Sequence, residues 1–267
     1  MGSVSVAEVK EWLTALAYLQ PRIMAMFLLI PMFNRELIPG AVLPAIVLAV
    51  SLVALPLVQP QIAMAGTLSG MQHTALILKE VMVGFVLGFL VAIPFWALEA
   101  VGFLIDNQRG ASISDTLNPL TGSDTSPLGL LFNQVFIIYF LLSGGMNLML
   151  GILYDSFRFW SVMTWTPGLH MDYATFFLGQ LDRLVQLSVV LAAPVLILMF
   201  MAEVGLALVN RFAPQLQVFF LAMPIKSALA FFILVLYAGT LMEYVGDEIR
   251  GLGGLFDQIS IIWQGAR

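Results

Sequence analysis

Residues 106–127 read DNQRGASISDTLNPLTGSDTSP, a polar stretch punctuated by Gly and Pro, between apolar flanks. No charge falls between Val81 and Leu98 ahead of it, nor between Thr125 and Tyr154 at its far end. A chain built for lipid keeps such a loop either to join two spans or to work inside an opening between them. Which of these applies decides how the rest of the chain is read.

Composition identifies the solvent. Of 267 residues, 60% are hydrophobic and only 10% are charged, and the mean hydropathy is +0.97. Soluble domains carry about 25% charged residues, so this chain belongs in a bilayer or in a tightly packed assembly derived from one. The net charge of −5 comes with no basic cluster, which argues against a nucleic-acid partner. The absence of Cys excludes disulfides, thiol catalysis and Cys-ligated metals. The opening MGSVSVAEVKEW lacks a basic n-region, so it does not read as a signal peptide. Val6 stands where myristoylation requires Ser or Thr.

A helical span needs about 20 apolar residues. Six segments meet or approach that length: 12–33, 40–58, 74–105, 128–153, 181–209 and 216–244. Gln20, Pro21 and Arg22 are expected to break the first, and 74–105 is too long for one straight span. The alternating short strands of a membrane barrel are missing. The expected fold is all-α and membrane-type, a single helical domain over 1–267 made of kinked hairpins. Its parts are N-terminal helices to 105, a polar loop at 106–127, further helices and a hairpin over 128–244, and a tail from 245. Gly251, Gly253 and Gly254 make that tail a poor continuous helix. Trp160, Trp165 and Tyr173 suit a membrane–water boundary. Lys and Arg are too scattered to set the orientation.

Several features invite a chemical reading. Pro21, Pro44, Pro94, Pro194 and Pro224 lie inside apolar stretches, where each removes a backbone donor. Lys79, Glu80, Glu99, Glu203 and Lys226 put charges there, at a cost of about 2.5–3.5 kcal/mol each on insertion scales. Glu203 and Lys226 flank the turn 210–215, so a hairpin brings them together as a pair; alternatively both lie near helix ends and reach the interface. Gly84 and Gly88 form a GxxxG, which favours close helix packing. His73 beside Lys79 can be read as a proton relay, but a lone polar residue in a segment's flank is more often simply solvated. No HExxH, Walker A, GxGxxG or GxSxG pattern occurs, so neither a catalytic residue nor a cofactor is expected. The broken helices and midplane charges also fit a secondary transporter of a small solute, but that class usually shows inverted repeats, and none is visible.

Two stretches are more specific. Gly102-Phe103-Leu104-Ile105-Asp106-Asn107-Gln108-Arg109-Gly110-Ala111 is followed by Gly122-Ser123-Asp124-Thr125-Ser126-Pro127-Leu128. Later, Asn210-Arg211-Phe212-Ala213-Pro214-Gln215-Leu216-Gln217-Val218-Phe219 precedes Met223-Pro224-Ile225-Lys226. Together these resemble the FliR/SctT family of type III secretion export-apparatus proteins, and the DNQRGA form is more similar to the injectisome SctT branch than to flagellar FliR. The resemblance covers nearly the whole chain. It implies a multi-pass protein of the bacterial inner membrane in a helical, cone-like export gate. The implied partners are FliP/SctR-like and FliQ/SctS-like subunits, an SctU/FlhB-like switch protein, membrane lipid, and unfolded secreted proteins in transit.

The resemblance also implies that the loop from Asp106 to Pro127 plugs the pore. Ile113, Leu117 and Leu120 recur at i, i+4 and i+7, giving a short helix an apolar face. Gly110 and Gly122 bracket that section as hinges, while Asp106, Arg109 and Asp124 suit anchors at its base, with Asn107 and Gln108 in the same motif. Arg211, Phe212, Pro214 and Gln215 sit at the hairpin tip, where subunit docking is expected.

Overall fold

A computed structural model describes residues 6–34, 37–63, 68–110, 126–165, 171–213 and 218–265, and its regular elements are all helical. They are α1 (Val6–Leu29), a 3₁₀ turn (Pro31–Phe33), α2 (Val42–Ala63), α3 (Gly70–Arg109), α4 (Pro127–Leu142), α5 (Gly145–Phe159), α6 (Met171–Phe212) and α7 (Val218–Gly265). Five helices are long and apolar enough to cross a membrane, or six if α4 and α5 form one bent span. This is an all-α, membrane-type protein.

The expected break at Gln20–Arg22 does not occur, because α1 continues through Pro21. α3, α6 and α7 likewise continue through Pro94, Pro194 and Pro224, and α2 through Pro56 and Pro60. Proline removes one ladder hydrogen bond. Without water, abandoning the helix would orphan many more backbone groups, so the helix persists. The same asymmetry overturns the expectation for the tail. α7 runs 48 residues, to Gly265, and passes through Gly251, Gly253 and Gly254. The apolar run 128–153, in contrast, is interrupted. Ser143 caps α4, and Gly144 takes φ +83°, a left-handed conformation available to Gly without strain, before α5 begins.

The helices group into two compact units. The first contains Met1–Ile93, Gly144–Phe177 and Arg250–Arg267. In it α1 buries Ala15, Tyr18, Leu19, Ile23, Met26 and Phe27, a stripe at helical spacing. Gly84 and Gly88 of α3 take the α1 backbone against them, since a Cβ at Gly84 would overlap the Arg22 carbonyl. Arg22 falls on the buried stripe and is itself fully buried. Its guanidinium donates to Glu80 through Nε (2.7 Å) and Nη2 (3.0 Å), to Ser156 Oγ (3.0 Å) and to the Trp160 carbonyl (3.0 Å), and lies 4.2 Å from the Phe157 ring centroid. Lys79 Nζ pairs with Glu80 at 2.8 Å and donates to the carbonyls of Ser161, Val162 and Thr164. Two cations thus cover the C-terminal end of α5, where the helix dipole is negative. From α2, Gln61 Oε1 accepts from Ser161 Oγ and the Val162 N–H. Four helices converge on the turn 160–164.

The second unit contains Pro94–Ser143 and Leu178–Ile249. Its centre is aromatic: Phe95 meets Phe136 edge to face at 4.4 Å and Phe140 at 5.2 Å. Gly102 of α3 and Gly129 of α4 let the two backbones touch, since a Cβ at Gly102 would overlap Gly129.

Removing one member of a buried ion pair costs about 3–5 kcal/mol, because the other charge is left unanswered. Glu80→Gln therefore lowers the thermal midpoint of the detergent-solubilised protein strongly. Exchange of exposed Arg158, which among the described residues pairs with Asp155, leaves it almost unchanged. Thermal unfolding of the two variants side by side checks this.

Candidate functional site

The base of the polar loop is built around one carboxylate. Asp106 is 3% exposed on the last turn of α3. Its Oδ1 accepts from Arg109 Nε at 2.7 Å, one turn along the same helix. Its Oδ2 accepts from Ser126 Oγ at 2.6 Å and from the Leu128 N–H at 3.0 Å, across a separation of 20 and 22 residues. Ser126 is the N-cap of α4: its Oγ also accepts from the Gly129 N–H at 2.9 Å, and Pro127 follows at the first helical position. The positive N-terminal end of α4 is therefore set against the Asp106 carboxylate.

Gly110 closes α3. It takes φ +82°, and its N–H donates to the Asn107 carbonyl at 3.1 Å. Glycine enters this conformation without the penalty a Cβ brings. Asn107 is exposed. Gln108 points to the other motif, with Nε2 donating to Glu203 Oε2 at 3.2 Å. The same oxygen accepts from Lys226 Nζ at 3.1 Å, so the structure brings Glu203 and Lys226 together. The Arg109 guanidinium lies 5.4 Å from the ring centroid of Phe231 on α7. Two motifs about a hundred residues apart in sequence thus meet in one cluster within the second unit.

Arg211 and Phe212 end α6 away from this cluster. Both are exposed, Phe212 at 86%, and the Ala213 N–H closes the last turn onto Val209. Ile113, Leu117, Leu120, Gly122, Asp124, Pro214 and Gln215 lie outside the described residues. His73 does not contact Lys79; its ring stacks on Tyr18 and its Nδ1 shares a hydrogen bond with the Tyr18 hydroxyl.

Ser126 and the Leu128 amide were not singled out by sequence reasoning, although Ser-Pro ahead of an apolar run is a helix-start signal. The Gln108–Glu203 contact has no local signal at all. In the cluster Asp106 pairs with Arg109 and Glu203 with Lys226, and these contacts fix positions.

An all-α chain with five or more helices long and apolar enough to cross a membrane is of the multi-pass membrane class. Residues 13–252 match the profile of bacterial export proteins, family 1, and the chain belongs to this family. It is similar to Yop proteins translocation protein T of Yersinia pestis, 43% identical over 91% of this chain and 92% of that protein. Secretion system apparatus protein SsaT of Salmonella typhimurium is 35% identical over 86% of this chain and 88% of its own length. Flagellar biosynthetic protein FliR of Bacillus subtilis is 26% identical over 80% and 82%. The chain is a structural component of the type III secretion export apparatus, associated with other components there, and a multi-pass protein of the bacterial inner membrane.

Asp106→Ala strips three donors of one buried acceptor, and an unsatisfied buried group costs about 1–3 kcal/mol. Hydrogen exchange at the Leu128 amide accelerates by about tenfold or more in this variant, since 1.4 kcal/mol is a factor of ten. Asn107→Ala leaves that amide protected. Exchange measured by mass spectrometry on a peptide spanning α4's first turn separates the two.

Proposed function

We propose that this chain is a structural and gating subunit of the type III export apparatus, of the injectisome type, forming part of the inner-membrane gateway for unfolded proteins. The observation that carries the proposal is the Asp106 clamp. It ties both ends of the polar segment to one point between apolar helices, which is what a plug needs: fixed roots and a free length between them. An apolar face of Ile113, Leu117 and Leu120 turned to the pore axis excludes ions by dewetting. The higher identity to the Yersinia and Salmonella secretion proteins than to the flagellar one supports the injectisome assignment. The relatives' roles in secretion and flagellar biosynthesis favour this reading over a small-solute transporter.

The long helices support a multi-subunit setting. α6 exposes Val185, Val189, Ile197, Phe200 and Met201, and α7 exposes Phe220, Phe232, Val235 and Leu236. Apolar faces of this extent belong against lipid or neighbouring helices. FliP/SctR-like and FliQ/SctS-like subunits and a FlhB/SctU-like switch protein are the neighbours proposed, with the exposed end Arg211-Phe212 and the turn Pro214-Gln215 as a docking tip. The role is mechanical, not enzymatic, and the driving energy comes from elsewhere.

Deletion of Gly110–Gly122 leaves the complex assembled and raises its ion conductance in planar bilayers. An intact complex with unchanged conductance removes the loop from the gate. Arg211→Glu lowers recovery of the complex severalfold while membrane insertion of the chain stays normal. Undiminished recovery on affinity purification removes the tip from the docking surface.

A further inference from the structure

A groove of about 440 Å³ lies in the second unit, beside the loop base, and shares Ser126 and Gly129 with its hydrogen-bond cluster. One wall is a single face of α3 carrying Trp96, Glu99 and Phe103, spaced three and four residues apart. Ser126, Gly129 and Leu130 of the α4 start form the other wall. Phe103 and Leu130 are exposed, so the groove opens outward.

Glu99 is the anomaly in it. The residue is half-buried, in a window of α3 that is otherwise apolar over 81–98. Its described polar partner is Asn133, whose Nδ2 donates to Oε2 at 3.2 Å. Among the described residues Glu99 forms no ion pair. The cations of this unit are Arg109, Arg183, Arg211 and Lys226. Three are taken, by Asp106, Glu248 and Glu203, and Arg211 is at the exposed far end of α6. The segment 111–125 contains no Lys or Arg. The unit therefore has no basic residue of its own left to supply.

A second acceptor waits beside it. Asn133 Oδ1 is buried and has no hydrogen-bond partner. The opposite placement of the amide would turn that oxygen toward the carboxylate, so its orientation is set by Glu99. A carboxylate that lines an aromatic-walled groove and has no cation to answer it among the described residues is complementary to a side chain with several N–H groups. Guanidinium and ammonium fit that description, and aromatic walls add a cation–π contribution.

We propose that the Glu99 groove is the socket for a Lys or Arg side chain carried on an apolar helix of a neighbouring export-apparatus chain. This rests on the multi-subunit reading above. The pairing answers a membrane-embedded charge that the chain leaves open, and it makes insertion of the neighbouring helix specific, because an apolar helix lacking that cation leaves Glu99 unpaired.

The test uses the complex. Recovery of a complex from the unaltered chain is measured first, and failure at that step counts against the multi-subunit reading itself. Glu99→Gln keeps the shape and the Asn133 hydrogen bond and removes the charge. Its recovery in complex falls by about tenfold or more, while the thermal midpoint of the solitary chain in detergent is unchanged. Recovery equal to the unaltered chain overturns the proposal. A photo-crosslinking amino acid at Leu130, in a chain that retains Glu99, gives an independent reading that holds even if the Gln variant folds poorly. The expected adduct joins a different chain within two helical turns of a Lys or Arg. An adduct to a segment without either residue, or to a second copy of this chain, overturns it.

Discussion

The demand that no buried charge stand alone organises this protein, and Asp106 meets it most compactly. A single carboxylate gathers an arginine from its own helix, a hydroxyl from the residue that starts the next, and a main-chain amide beyond it. In water each contact would be worth little. In a nearly dry site the acceptor must be filled, so the ends of a long polar segment are pinned together.

The first unit obeys the same rule on a larger scale. Arg22 and Lys79 share the Glu80 carboxylate and cover the carbonyls after α5, while Gln61 accepts from Ser161 and Val162. Close approach makes these distances attainable. Gly84 and Gly88 bring α1 onto α3, as Gly102 and Gly129 do for α3 and α4. The glycines and the charges belong to one design, since an ion pair this buried is useful only where backbones already touch.

Much of the fold was legible in the sequence because hydropathy alone forces helices in lipid. The motif wording put Asp106 and Arg109 close together at the start of the polar stretch, and the two pair there. Other readings went astray for definite reasons. Pro21 and the tail glycines were weighed on scales suited to water, where breaking a helix is cheap; here α1 and α7 pass through them. The interruption at Ser143–Gly144 has no charge to mark it, because no charged residue occurs between Thr125 and Tyr154. Arg22 belongs to the triplet expected to break α1, yet it lies three and four residues from Leu19, Tyr18 and Met26 on a buried stripe. Its partner stands 58 residues away. Spacing within a helix reveals that a charge is buried; it does not reveal what answers it.

That separation has a consequence for how the protein is made. Arg22 is synthesised early, but the Trp160 carbonyl that it contacts lies 138 residues downstream. At about 5–20 residues per second, its guanidinium waits roughly 7–30 s for its last partner to leave the ribosome. Its charge goes unanswered only until Glu80 follows, 58 residues on. The nascent first unit therefore depends on the insertion machinery, or on water at the bilayer surface, to shelter Arg22 until α3 is made, and its remaining donors until α5 is complete.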